Sequence, residues 1–266
     1  MKILIVGYGY VGKAVHHGFN INNNIVRFYD PKYVQSSLND SLNDDSSYDV
    51  AFVCVPTPTI DNICDTSVVM SVIKDLKRYE IPIILKSTVP PDTMEKIYNI
   101  NGGSKSMFAF CPEFLTEANY LEDFIENDLI IGTNNYNMYN LVVDLFNNSN
   151  CKNYNKLLCT PEEASIIKYG RNCYLATKVI FFNQLKKVCK NLNFSEDQYE
   201  NVRQGISSDD RIGESHTMVP GPDGKLGYGG SCFPKDMSAF YSFCKKNKVD
   251  FSLIRESILE NLKIRK

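Results

Sequence analysis

The residues best suited to chemistry lie in Gly227-Tyr228-Gly229-Gly230-Ser231-Cys232-Phe233-Pro234-Lys235-Asp236, where a single cysteine follows a run of glycines. Glycines allow a backbone to approach a neighbour closely. Pro234 suits the first position of a helix, where a missing N–H has no cost, so the spacing predicts a helix from 234 onward. A thiol just ahead of a helix faces the positive end of the helix dipole, which favours the nucleophilic thiolate. The same segment is equally compatible with a glycine-rich turn holding a buried, inert thiol. The nine cysteines show no CxxC pair and no ligand spacing, so no metal site is expected. Only three histidines are present, and none neighbours a plausible nucleophile, which disfavours a histidine-based triad.

A second constellation opens the chain. Gly7-Tyr8-Gly9-Tyr10-Val11-Gly12 follows an apolar run, Lys2 to Val6, and leads into helical spacing at Val11, Ala14, Val15 and Phe19. Asp30 ends the next β-type run, Ile25 to Tyr29. Glycines between a strand and a helix leave backbone N–H groups open to a diphosphate, and an acid at the end of the second strand accepts from ribose hydroxyls while repelling a 2′-phosphate. NAD is therefore expected over NADP, with Lys32 close enough to complicate that preference.

Three further loops carry polar groups: Val55-Pro56-Thr57-Pro58-Thr59, Lys86-Ser87-Thr88-Val89-Pro90-Pro91 and Cys111-Pro112-Glu113-Phe114-Leu115-Thr116-Glu117. Each follows a predicted strand, the place where ligands bind in such sheets. Each could also be a proline-stiffened turn. Lys168 and Asn172 sit four apart and share a helix face, although a solvated pair would have the same spacing.

The elements that must position these groups alternate. Strands are expected at Lys2–Val6, Ile25–Tyr29, Val50–Val55, Pro82–Lys86, Met107–Phe110 and Asp128–Gly132. Helices are expected after Gly9, over Ser67–Tyr79 behind a capping Asp65, after Pro90-Pro91-Asp92, and over Met138–Phe146. Alternation of this kind predicts a doubly wound parallel sheet. From Pro161 to Asn191 helical periodicity is unbroken, with Ile166, Ile167, Leu175, Val179, Phe182 and Leu185 as apolar positions. A helix this long joins two bodies or two subunits, and a two-fold homodimer packed along it is expected. Short helices then surround the glycine-rich loop, the last from Phe251 to Lys266. The expected organisation is a Rossmann-like domain over 1–155, then the long helix with a small helical domain over 156–266.

With 43% hydrophobic and 23% charged residues and a net charge of −2, the 266-residue chain reads as globular, without a nucleic-acid footprint. No stretch approaches the roughly 20 apolar residues of a membrane span. An odd cysteine count without a secretory signal reads as reduced thiols in a cytoplasm.

Taken in order, Gly7–Gly12, Ser87-Thr88-Val89-Pro90, Pro112-Glu113-Phe114-Leu115, Lys168 with Asn172, and Gly229–Asp236 resemble the motifs of the UDP-glucose/GDP-mannose dehydrogenase family, from residue 1 to about residue 245. The resemblance implies two NAD-dependent oxidations of a nucleotide sugar, with UDP-glucose the expected substrate, converting a C6 alcohol to a carboxylate without release of the aldehyde. It makes Cys232 the nucleophile, and Lys168 and Asn172 the groups that stabilise oxyanions. Asp236 and Thr88 hold a water, and Glu113 assists thioester hydrolysis. Cofactor contacts would come from Gly7 to Gly12, Asp30, Lys32, Val55, Thr57, Pro58, Thr59, Ser87, Thr88 and Glu117. Substrate contacts would come from Glu113, Phe114, Leu115, Thr116, Glu117, Lys168, Asn172, Tyr228, Gly229, Gly230 and Cys232, with Arg211 reaching the sugar nucleotide of a neighbouring subunit. Family members normally continue into a further nucleotide-sugar-binding domain, whereas this sequence ends at Lys266, so weaker substrate affinity or sharing of the nucleotide across a dimer is expected. The rival expectations are another nucleotide sugar, such as a UDP-N-acetylhexosamine or GDP-mannose, and a non-catalytic NAD-binding paralogue.

Overall fold

The computed structural model describes residues 1–21, 23–44, 47–103, 106–152 and 155–265. Lys266, the end of the expected terminal helix, lies outside the described residues. The chain divides into two compact units. One comprises Met1–Pro58 and Cys64–Lys168, the other Thr59–Ile63 and Tyr169–Lys266.

The first unit is built on a seven-stranded sheet of β1 (Lys2–Val6), β2 (Ile25–Tyr29), β3 (Val50–Val53), β6 (Ile83–Leu85), β7 (Phe108–Phe110), β8 (Leu129–Gly132) and β9 (Lys156–Cys159), in the order β2-β1-β3-β6-β7-β8-β9. The period-2 alternation of strands divides their side chains between two cores. Leu4, Val6, Ala51, Val53, Ile83, Leu85, Phe108 and Phe110 pack with Val69, Ile73 and Leu76 of α3 (Ser67–Arg78) and Met94 and Ile97 of α4 (Pro91–Ile100). Ile3, Ile5, Val50, Phe52, Ile84 and Ala109 pack instead with Ala14, Val15 and Phe19 of α1 (Tyr10–Phe19) and with Met138, Val142 and Leu145 of α6 (Tyr136–Asn147). The strand order reverses at β1, which pairs with both β2 and β3 in parallel. The crevice for a ligand therefore opens where the loops leaving β1 and β3 diverge.

The sheet is largely parallel, with one correction to the expected pattern. β8 runs antiparallel to β7, meeting it at Phe110 and Gly132. The only helix between them is α5 (Tyr120–Glu126), seven residues long. β9, which the sequence reading lacked, then pairs in parallel with β8 after α6. A short helix α2 (Leu38–Asp44) completes this unit.

In the second unit, α7 (Pro161–Asn191) has the expected bounds, begins in the first unit and continues as the spine of the second. It is followed by α8 (Glu196–Ser207), α9 (Phe233–Lys246) and α10 (Ser252–Ile264). α8 starts with a capping box, in which Ser195 and Gln198 exchange side-chain and backbone bonds. Phe182, Cys189, Tyr199 and Val219 form its core with Leu185, Val202 and Ile206, and Tyr169 stacks on Phe240 at 5.4 Å. A hairpin of β4 (Thr59–Ile60) and β5 (Ile63–Cys64) turns through Asp61 and Asn62, both at positive φ. This is the turn geometry that matches strand twist. Among the described residues no helix is long and apolar enough to cross a membrane.

Phe52 is fully buried, with the Phe19 ring 5.1 Å away. Phe52→Ala is expected to destabilise the fold by about 3–5 kcal/mol, read as a lowered urea midpoint.

Candidate active site

In the first unit the loop leaving β1 is set by its glycines. A Cβ on Gly12 would lie 2.1 Å from the Gly7 carbonyl oxygen, whereas at exposed Gly9 it would meet nothing within 4 Å. The first position is closed by the turn itself and the second is open toward solvent, the shape a bound diphosphate needs. Asp30 ties the loop to β2, its carboxylate accepting from the Tyr8 amide at 2.7 Å and the Lys32 amide at 2.9 Å. The Tyr8 ring stacks on Phe28 at 3.9 Å, exposed Tyr10 meets Tyr120 edge-on, and Val11 is half-buried. These residues fit the NAD expected there.

At the loops after β3 and β6, Ser87 is buried and its hydroxyl donates to the Val55 carbonyl at 2.7 Å, joining the two loops. Thr57 and Thr88 are buried beside them, while Pro58 is exposed. The Thr88 carbonyl accepts from the Cys64 thiol. Lys86, quoted in the sequence without a role, is buried and approaches the Pro112 carbonyl at 3.5 Å. Burial pushes its ammonium below the ordinary lysine range. Burial also pushes the neighbouring Cys54 and Cys111 thiols up to about 12, away from the thiolate form.

Lys168 and Glu113 are the central pair of this unit. Lys168 Nζ donates to Glu113 Oε1 at 2.9 Å and to the Glu113 backbone carbonyl at 2.6 Å, and lies over the Phe114 ring at 5.3 Å. Glu113 Oε2 accepts from the Leu115 amide at 2.8 Å. Burial alone would raise the Glu113 carboxyl, but the Lys168 charge, the Leu115 amide and Lys86 outweigh it and hold the carboxyl below its usual range. Further along this loop Leu115 is half-buried, Thr116 donates its amide and hydroxyl to Asp123, and Glu117 is exposed.

In the second unit Cys232 is the N-cap residue of α9, and Pro234 occupies the second helical position rather than the first. The displacement follows from the backbone: Cys232 already has αR dihedrals, and its carbonyl accepts from the Asp236 amide at 2.8 Å. Cys232 Sγ is 3.7 Å from Ser231 Oγ. Asp236, 1% exposed, lies one turn along α9. It accepts from Asn172 Nδ2 and Lys235 Nζ, each at 2.5 Å. Both members of the Lys168 and Asn172 pair are thus buried, which removes the solvated alternative. Thr59 donates its hydroxyl to the Lys235 carbonyl at 3.2 Å, bracing the same helical turn. Arg211 is exposed and pairs with Asp209. Tyr228 is buried, Gly229 half-buried and Gly230 exposed.

The sequence reading missed Asn183, Asn261 and Arg265, which hold the glycine-rich loop from α7 and α10. One signal was available. Ile254, Ser257 and Asn261 form the buried stripe of α10, and an asparagine on an apolar stripe must satisfy its amide internally. Among the described residues no cluster of three His, Cys, Asp or Glu side chains could hold a metal.

Two outcomes are expected. Gly9→Val should weaken NAD binding at least tenfold in calorimetry while leaving the melting temperature unchanged, whereas Gly12→Val should lower the melting temperature as well. The Glu113 carboxyl titrates lower in the folded chain than its ordinary value of 4.5. The stability it contributes is thus present above that value and lost as pH falls through the folded one. Glu113→Gln should remove this part of the acid sensitivity. At neutral pH it should cost about 3–5 kcal/mol by stranding Lys168. Urea midpoints across the acid range check both.

The sequence matches the UDP-glucose/GDP-mannose dehydrogenase family, NAD binding domain, over residues 32–150 and the same family's central domain over residues 162–262. A UDP-glucose 6-dehydrogenase of Rickettsia bellii is 30% identical over 98% of this chain and 67% of its own length. Among solved structures, a UDP-glucose dehydrogenase from Pyrobaculum islandicum superposes with a TM-score of 0.83 at 24% identity, covering 98% of this chain and 68% of that one. A UDP-D-ManNAc dehydrogenase from Pyrococcus horikoshii gives 0.79 at 20%, covering 99% and 68%. The chain thus spans about two thirds of the length of these proteins. It belongs to the UDP-glucose/GDP-mannose dehydrogenase family, a family of NAD-dependent oxidoreductases acting on nucleotide sugars.

Proposed function

We propose that the chain oxidises the C6 alcohol of UDP-glucose to the carboxylate of UDP-glucuronate in two steps on one thiol. The observation that carries this reading is Cys232 at the N-cap of α9, with buried Asp236 one turn further on and bonded to Asn172. An alcohol can lose a hydride directly, but an aldehyde needs a nucleophile to make it a hydride donor. The Cys232 thiolate adds to the aldehyde carbon, forming a C–S bond and an alkoxide. Loss of a hydride from that carbon gives a thioester. Water then attacks, the C–S bond breaks, and the thiol is regenerated with the carboxylate product. Bound NAD supplies the hydride acceptor in each oxidation, held at the open face of Gly9 and by Asp30.

The chain's own groups divide the remaining work. Lys168 and Asn172, one helical turn apart on α7, supply an ammonium and an amide to the developing oxyanions, worth about 3–4 kcal/mol per donor. Asp236 and Thr88 hold the attacking water and Glu113 assists its attack. Phe114, Leu115, Thr116, Glu117, Tyr228, Gly229 and Gly230 contact substrate in this reading, with Arg211 offered to a neighbouring subunit's nucleotide. That subunit is a second copy of this chain. Tyr174, Phe181 and Val188 are exposed at seven-residue intervals along α7, the spacing of a helix-packing seam. We place the reaction in the cytoplasm, with its product serving polysaccharide biosynthesis.

Two NADH are expected per UDP-glucuronate formed, and Cys232→Ser should abolish turnover. One NADH per product, or near-normal turnover of Cys232→Ser, contradicts the mechanism. A preference for a UDP-N-acetylhexosamine or GDP-mannose overturns the substrate. No NADH from any of them favours the non-catalytic NAD-binding reading. Light scattering should show a dimer that Phe181→Glu converts to monomer.

A further inference from the structure

The glycines before Cys232 make room for side chains of this same chain. Gly227 has φ +71, and a Cβ there would lie 2.3 Å from Asn261 Oδ1. A Cβ on Gly229 would lie 1.9 Å from Arg265 Nη2. Buried Asn261 uses both ends of its amide on one residue, accepting from the Tyr228 N–H at 2.8 Å and donating to the Tyr228 carbonyl at 3.1 Å. Asn183 accepts from the Gly227 N–H at 3.0 Å and is itself fixed by a bond to the Val179 carbonyl. Arg265 donates to the Leu226 and Gly227 carbonyls, each at 3.3 Å, and pairs with Asp223. Gly230 differs: a Cβ there would meet nothing within 4 Å, and its φ of +73 is by itself a reason for glycine.

A glycine-rich loop loses much conformational freedom on ordering, and this one ends at the residue proposed to attack substrate. Placement errors of about 1 Å cost on the order of 100-fold in rate. We propose that Asn261 and Arg265 of α10 and its C-cap are positioning residues for Cys232, and that Gly227 and Gly229 are glycine to seat them. This proposal rests on the reaction assigned above. It distinguishes Gly229, whose missing Cβ seats a guanidinium, from Gly230, where the positive φ alone calls for glycine.

The test is a cycle of Gly229→Ala, Arg265→Ala and the double variant, assayed for NADH formation with UDP-glucose, with and without millimolar guanidinium chloride. Arg265→Ala should lower kcat about 10–100-fold with KM for NAD unchanged, and guanidinium should restore much of it. Gly229→Ala displaces the flexible Arg265 side chain and should reproduce that loss. The double variant should be no worse than either single, and guanidinium should not rescue it, because the new methyl fills the seat. Multiplicative losses in the double variant, or rescue of it equal to that of Arg265→Ala, overturn the proposal. Loss of rate without rescue in Arg265→Ala also overturns it. A wild-type chain that forms no NADH refutes the assigned reaction instead. The clamp is then judged by hydrogen exchange: Asn261→Ala should speed exchange of the Tyr228 amide at least tenfold while α8 is unchanged. Unchanged protection there overturns the clamp itself.

Discussion

The buried pair of Lys168 and Glu113 is the constraint on which the arrangement of the first unit's polar loops depends. Removing two charges from water is expensive, and their mutual attraction offsets that cost only when other bonds complete both groups. Here the Leu115 amide and the Glu113 backbone carbonyl provide those bonds. The pair fixes the loop after β7 against the opening turns of α7, which a second buried bond, from Ser165 to the Val89 carbonyl at 2.6 Å, ties to the loop after β6. With the Ser87 bond to the Val55 carbonyl, the loops after β3, β6 and β7 are joined at the C-terminal ends of their strands. The Glu113 carboxylate is the counter-charge that makes burial of the Lys168 ammonium tolerable.

The second unit solves a different problem with the same economy of parts. Its cysteine stands at the end of a loop with little side-chain mass to order it, so the ordering comes from outside, from Asn183, Asn261 and Arg265. The two glycine-rich loops of the chain therefore use glycine for opposite purposes. At Gly9 the missing Cβ leaves space for a ligand, whereas at Gly227 and Gly229 it leaves space that the protein fills.

Much of this was legible in the sequence. The strands β1, β2, β3, β6, β7 and β8 and the bounds of α7 follow from apolar runs and periodicity, whereas the two-residue strands β4 and β5 carry no such run. The Gly7–Gly12 loop with Asp30 was readable because the same turn always needs the same residues. What was not legible depended on partners distant in sequence. Nothing local in the sequence marks β8 as antiparallel. The burial of Lys168 and Asn172 depends on Glu113 and Asp236, each more than fifty positions away. Cys232 stands just before a helix as its place in the sequence indicated, but that helix begins at Phe233 rather than at Pro234. The glycines before it were read as room for something, and only the structure names Asn261 and Arg265 as occupants.

The account stands on covalent capture at Cys232, and the most direct measurement is peptide-resolved mass spectrometry of the chain acid-quenched during turnover with UDP-glucose and NAD. The account predicts a UDP-glucuronyl thioester on the peptide carrying Cys232, absent when NAD is omitted and absent from the other eight cysteines. NADH accumulating while the Cys232 peptide stays unmodified throughout turnover would contradict it.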